Sequence, residues 1–259
     1  MTFVLVLMLS NILSGQFWKV PSTAILAVYV GVLFGLLNPF SLLRLGETLI
    51  HEIGHAQMAA FTLGSVKYIR VERDTSGVTF HTGSFLPTRL RSCLVSLFGP
   101  IASSVLFVIT ARLVASELTV YWALGIGVFT VLILISTVRN IWGWITGLVV
   151  LLGLYIILES SGYFTNKLIG ETSLATTSDL IVIMILGIAS FNYGSSIKYS
   201  LSVRKIKNPN SDEYKFSKSL FLPHYIGSRL IILCQLLLGW IGLGILLGWP
   251  SIFDVRRLI

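Results

Sequence analysis

The amino-acid sequence predicts an all-α polytopic membrane protein, with about six to eight transmembrane helices and one small β-hairpin after the third of them. Three observations carry this expectation. Only 12% of the 259 residues are charged, about half the share usual in a soluble domain. The mean hydropathy is +0.86. The apolar residues also gather into stretches long enough to cross a bilayer, which takes roughly 20 residues of helix. A chain with so little charge cannot cover a water-facing globule, so much of its surface must face lipid.

The expected spans are about residues 2–18, 22–40, 42–63, 92–114, 118–137, 141–160, 179–197 and 226–248. The opening Met1-Thr2-Phe3-Val4 lacks the basic stretch that begins a secretory signal, so it reads as a first span. After the third span, residues 65–83 place two runs of β-formers around Arg73-Asp74-Thr75-Ser76-Gly77, which is a hairpin pattern. Gly99-Pro100 falls inside the fourth span and predicts a kink or a broken helix, tolerable where backbone lines a cavity. Residues 161–178 form a Thr/Ser-rich loop, and residues 198–225 form the longest polar loop. There is no internal repeat and no low-complexity tract, so residues 1–259 read as one integral membrane domain.

The net charge of +8 does not point to nucleic acid. The basic residues sit in loops between spans, where they orient the chain and meet anionic lipid headgroups. Twelve Lys and Arg, from Lys67 to Lys218, lie on the side reached after the third span. Five lie opposite: Arg44, Arg112, Lys167, Arg256 and Arg257. The positive-inside rule puts the hairpin and the 198–225 loop in the cytoplasm. The expected location is therefore a multi-pass protein of the cell membrane, with its lipid bilayer as one partner. Cys93 and Cys234 lie in apolar segments without paired spacing, which argues against a disulfide framework or a cysteine metal site.

The third span contains His51-Glu52-Ile53-Gly54-His55. On a helix, residues four apart share a face. Two imidazoles so placed can grip one zinc ion, and Glu52 between them can reach a water on that metal as general base. Zinc brings the pKa of such a water towards ~7, and the resulting hydroxide can attack a peptide carbonyl. The chain has four histidines, and two form this pair. Glu47 lies one turn earlier. Ionisable residues at membrane depth are expensive and usually mark a functional site; the plainer alternative is a polar stripe bonded to neighbouring helices.

Leu49-Ile50-His51-Glu52-Ile53-Gly54-His55-Ala56 resembles the zinc-binding helix of the site-2 protease family of intramembrane metalloproteases. Ser76-Gly77-Val78-Thr79 in the hairpin, Phe98-Gly99-Pro100, Arg139-Asn140-Ile141-Trp142-Gly143, Ser211-Asp212 and Pro223 extend the likeness in order, as in a short, divergent branch. The resemblance implies a zinc endopeptidase, with one zinc ion per chain, cutting a membrane protein substrate. Better-known members carry the third zinc ligand in an Asp-Gly pair, which this chain lacks. Asp212 is the expected substitute. It lies on the cytoplasmic side, as the metal pair does, and the divergent branch has an acidic position there. Asp179 and Asp254 fall on the far side, and Asp74 reads as a solvated turn residue. Asp212 also reads as the cap of a short helix, with His224 and a water as the fallback ligands.

Other residues carry two readings each. Gly54 gives either close approach to the metal or helix packing. The hairpin either lends its edge to a substrate strand or covers the site. Asn140 either binds substrate backbone or caps a helix. His81 and His224 read as loop histidines. Two other functions fit a polar span: a catalytically silent membrane protein that keeps the metal for folding or partner binding, and an ion or proton transporter.

Overall fold

The computed structural model describes residues 22–37, 41–83, 86–116, 118–160, 179–204 and 208–248. The expected first span, the 161–178 loop and the segment from 249 onward lie outside the described residues. The helices are α1 (Ser22–Leu37), α2 (Ser41–Phe61), α3 (Thr88–Ala115), α4 (Thr119–Ser136), α5 (Ile141–Ser160), α6 (Asp179–Val203), α7 (Asp212–Ser219) and α8 (His224–Leu246). The strands β1 (Ser65–Val71) and β2 (Gly77–Thr82) follow α2. The protein is thus an all-α polytopic membrane protein with one small hairpin.

Among the described residues, five helices are long and apolar enough to cross a membrane: α3, α4, α5, α6 and α8. Helix α1 is apolar but shorter. Helix α2 has the length, but Arg44, Glu47 and Glu52 dilute its hydropathy. Glu47 and Glu52 are buried among other helices and the hairpin, not turned to lipid. Helices α4 and α5 show the opposite pattern, with Val128, Leu132, Leu148 and Leu152 exposed where hydrocarbon would meet them.

Helix α3 is the hub, packing against α2, α6, α7 and α8. It runs antiparallel to α2, because Val95 clusters with Met58 and Ala59 while Ala102 lies near Gly54. It is unbroken through Pro100, so of the kink or break that the sequence predicts the break does not occur. The carbonyl of Pro100 accepts hydrogen bonds from Ser196 Oγ and Gln235 Nε2, both at 2.7 Å. A buried polar group in an apolar bundle needs such partners, and this one ties α3 to α6 and α8. Helix α1 packs closely on α6. Gly31 and Gly35, four apart, face Ser190 and the backbone of Phe191 with no room for a side chain, a small-residue contact typical of membrane helices.

The hairpin is antiparallel, with Val71 opposite Gly77 and Ile69 opposite Thr79, and a bulge between Val66 and Tyr68. It folds back along α2. Thr48 Oγ1 donates to Thr75 O at 2.9 Å, so the hairpin tip reaches thirteen residues back from the end of α2 at Phe61, roughly 20 Å at helical rise. The outer edge of β1 is occupied. Ile69 N donates to Thr137 O at 2.9 Å, and Arg139 N donates to Ile69 O at 3.2 Å. Asn140 continues this edge with its side chain, accepting from Val71 N at 3.2 Å and donating to Val71 O at 2.6 Å. Asn140 sits at the cap position of α5, its carbonyl accepting from Trp144 N at 3.2 Å, while its side-chain amide imitates a strand residue along β1.

Candidate metal centre

Three side-chain atoms from two distant parts of the chain converge. His51 Nε2 lies 2.9 Å from Asp212 Oδ2, and His55 Nε2 lies 3.0 Å from the same oxygen. The two Nε2 atoms are 3.1 Å apart. The histidines meet because they are one turn apart on α2. Asp212 arrives because Ser211 caps α7, its Oγ accepting from Tyr214 N at 3.3 Å. The short helix expected near Asp212 is present, but Ser211 is its cap and Asp212 opens its first turn.

His55 is fixed on both sides. Its Nδ1 donates to Val95 O at 2.7 Å, which turns Nε2 and its lone pair towards the cluster. Its ring lies on the backbone of α3 at Gly99, where a Cβ would collide with Cε1 and Nε2. At Gly54 a Cβ would lie 2.6 Å from Phe98 O and 2.7 Å from Ala102 Cβ. These two glycines let α2 and α3 approach closely at the level of the cluster. His51 meets the edge of the Tyr199 ring, with centroids 5.8 Å apart.

Glu52 is held separately. Its Oε2 accepts from Thr79 Oγ1 at 2.7 Å, and the same hydroxyl lies 2.9 Å from Glu52 O. Gly77 packs on this carboxylate, and a Cβ there would be 2.6 Å from Oε1. The hairpin thus positions the acid beside the two imidazoles. His51, Glu52 and His55 offer ligand atoms all within 4.8 Å of one another, but Asp212 is closer to both imidazoles than that limit. Glu52 is the acid bonded to the hairpin.

The arrangement suits a cation better than a hydrogen-bond network. Two ring nitrogens and a carboxylate oxygen are chiefly lone-pair groups, and separations near 3 Å match donors around one ion bound at about 2.0–2.2 Å. Burial by itself would raise the Asp212 carboxyl, but the His55 and His51 imidazoles outweigh it and hold the group below the usual carboxylate range. Burial also pushes the neighbouring Glu213 up to about 7.

The cluster opens on a cavity of about 900 Å³, lined by α2, the hairpin, the start of α3, Tyr199 and the start of α7. The backbone of Ile69 faces away from β2, towards residues 137 and 139. Thr79, its partner in a non-hydrogen-bonded pair, must then turn its own N–H and C=O away from β1. Among the described residues these two groups have no backbone partner, and Gly77, Val78, Thr79 and His81 of this edge line the cavity. His81 is not a loop histidine: it lies in β2, lines the cavity and meets Arg91. His224 begins α8 and is not among the cavity residues. Asp74 is a turn residue, as expected, accepting from Ser76 N at 3.0 Å and from Ser76 Oγ at 2.7 Å.

The Peptidase M50B-like family profile matches residues 22–242, which include every residue of this cluster. The chain belongs to the Peptidase M50B-like family. This agrees with the likeness to site-2 proteases in its motifs. No curated protein and no solved structure matches the chain. Within this M50B-like chain, three contributors to the site escape a motif reading: Val95 O, Tyr199 and Arg91. Val95 acts through its backbone, so no side-chain signal exists. Thr79 is visible only as the last residue of Ser76-Gly77-Val78-Thr79.

The Gly99 contact gives a direct test. Gly99→Ala should push the His55 ring off α3 and lower metal affinity by about 10–100-fold, the usual effect of disturbing a ligand's support. Gly153→Ala, where nothing lies within 4 Å of the new Cβ, should leave it unchanged. Competitive metal titration of the purified variants reads the difference, and equal affinities would remove Gly99 from the site.

Proposed function

We propose that the protein is a zinc-dependent intramembrane endopeptidase that cuts a membrane-embedded or membrane-adjacent protein. His51, His55 and Asp212 hold one zinc ion, and Glu52 is the general base. The observation that carries this reading is the meeting of His51 Nε2, His55 Nε2 and Asp212 Oδ2 within 3.1 Å of one another, beside Glu52. Two histidines and a carboxylate form a ligand set common in catalytic zinc sites, which leave a further position for water. Membership of a peptidase family supports the same conclusion.

Zinc, when bound, acts as a Lewis acid and brings the pKa of a water towards ~7. Glu52 takes the proton of the attacking water and delivers it to the departing amide nitrogen. Thr79 holds Glu52 Oε2, which leaves Oε1 towards Gly77 as the mobile proton carrier. A transmembrane helix hides its own peptide bonds, so the substrate must unwind before cleavage. The free N–H and C=O of Thr79 then pair with the unwound segment as an added strand. This lays an extended peptide beside the base. Desolvation inside the helix bundle strengthens each of these interactions.

Sidedness is part of the proposal. The site opens towards the side that receives the hairpin and α7, which the distribution of Lys and Arg assigns to the cytoplasm. A tag inserted at Asn210 should be labelled only after the cells are permeabilised; labelling in intact cells would reverse the orientation.

Glu52→Gln should keep zinc and lower cleavage by roughly 10²–10⁴-fold. Asp212→Ala should lose both zinc and cleavage. Asp179→Ala should lose neither, since residue 179 begins α6 and lies roughly 30 Å along the helix from Tyr199, which meets His51. Metal analysis and a cleavage assay on the same preparations decide the matter. A Glu52→Gln protein that cuts at the parental rate would exclude this mechanism. Bound zinc without any cleavage by the parental protein would leave a silent metal protein as the better reading.

A further inference from the structure

The cavity is not electrically uniform. Because α2 and α3 are antiparallel, Arg91 lies one turn before Val95 and so level with the end of α2. His81 stands beside it on β2, and Lys215 of α7 lines the same cavity close enough for its charge to act on His81. The other end, near the hairpin tip, carries Glu47, Asp74 and Arg44. One end therefore gathers two cations and the other has two acids to one cation.

The cationic end lacks a counter-charge. Arg91 bonds through its Nη2 to His81 Nδ1, a neutral acceptor in that arrangement. Burial, followed by the charge of Arg91, lowers the pKa of His81. Arg91 Nε is buried and has no partner. Among the described residues, no carboxylate forms an ion pair with Arg91 or Lys215. A guanidinium partly withdrawn from water without a counter-charge is costly unless an anion pairs with it. Its planar fork favours a carboxylate.

We propose that Arg91, assisted by Lys215, binds an acidic side chain of the substrate and thereby sets which peptide bond lies over Glu52. This rests on the endopeptidase reading of the site. The spacing follows from the strand. Thr79 holds Glu52, and His81 is two residues further along β2, about 6.6 Å at strand rise. Alternate residues of a strand face the same side, so a peptide paired with β2 presents its side chain to Arg91 about two residues from the one facing Thr79. The acid marks the register and the scissile bond follows from it. The chemical class of the substrate is thus an extended segment with Asp or Glu close to the cut.

The test uses the full-length, zinc-loaded Glu52→Gln protein in detergent micelles, which should bind without cutting. A peptide library with randomised positions is affinity-selected on it. The expected result is enrichment of Asp and Glu at one position, on the order of tenfold over Asn and Gln. Arg91→Gln in the same background should abolish the enrichment. Arg91→Glu with Lys215→Glu should replace it with a preference for Lys and Arg. Zinc content and melting temperature confirm that each variant folds, and the milder Arg91→Gln change decides if the charge reversal does not. No enrichment of acidic residues, or enrichment that survives Arg91→Gln, overturns the proposal. If enrichment depends on Arg91 but the parental protein cuts none of the selected peptides, the acid-binding end stands and the endopeptidase reading falls.

Discussion

Gly99 has no side chain because the ring of His55 fills that space. From this contact most of the site follows. It lets α2 and α3 approach closely enough for Val95 O to accept the Nδ1 proton of His55. That bond sets the ring so that Nε2 faces His51 and Asp212. Had the helices been held apart by even one methyl group, the imidazole would turn, and the cluster would lose one of its three atoms. The membrane sharpens the constraint. Polar groups inside an apolar bundle are tolerated only when they have partners, and each member of this cluster has one.

The rest of the fold supplies those partners from outside α2. Helix α3 contributes a backbone carbonyl, and α7 contributes the carboxylate. The hairpin contributes the hydroxyl that steadies Glu52. Its own placement depends on Thr48 at the tip and on residues 137–140 along the outer edge of β1. The consequence is asymmetric: β1 is covered by protein, while β2 keeps its edge open along the cavity. The network of Pro100, Ser196 and Gln235 anchors α3 to α6 and α8 on the far side. The helix that carries Gly99 is therefore braced against the bundle.

Much of this was legible in the sequence for physical reasons. Helix spans follow from bilayer thickness and hydropathy, and the hairpin follows from β-formers around a turn. His51 and His55 are visible because helical period places them on one face, and Glu52 because it stands next to them in the His-Glu-x-x-His spacing. The approach of Asp212 is different in kind. Topology narrows the acids to those on one side, and the structure then brings Asp212 beside both imidazoles across more than 150 positions of chain. Asn140 shows where such reading stops: it stands before a helix as a cap would, but nothing local reveals that its side chain pairs with the backbone of Val71. At Gly99-Pro100 the helix does not break, since a missing N–H need not end a helix that is held by its neighbours.

The account depends on His51, His55 and Asp212 sharing one ion. X-ray absorption at the zinc edge of the purified protein measures this most directly. It should show one zinc per chain, with a first shell of nitrogen and oxygen at about 2.0–2.2 Å and the multiple scattering of two imidazoles. Absence of zinc, sulfur in the first shell, or scattering from a single imidazole would contradict it.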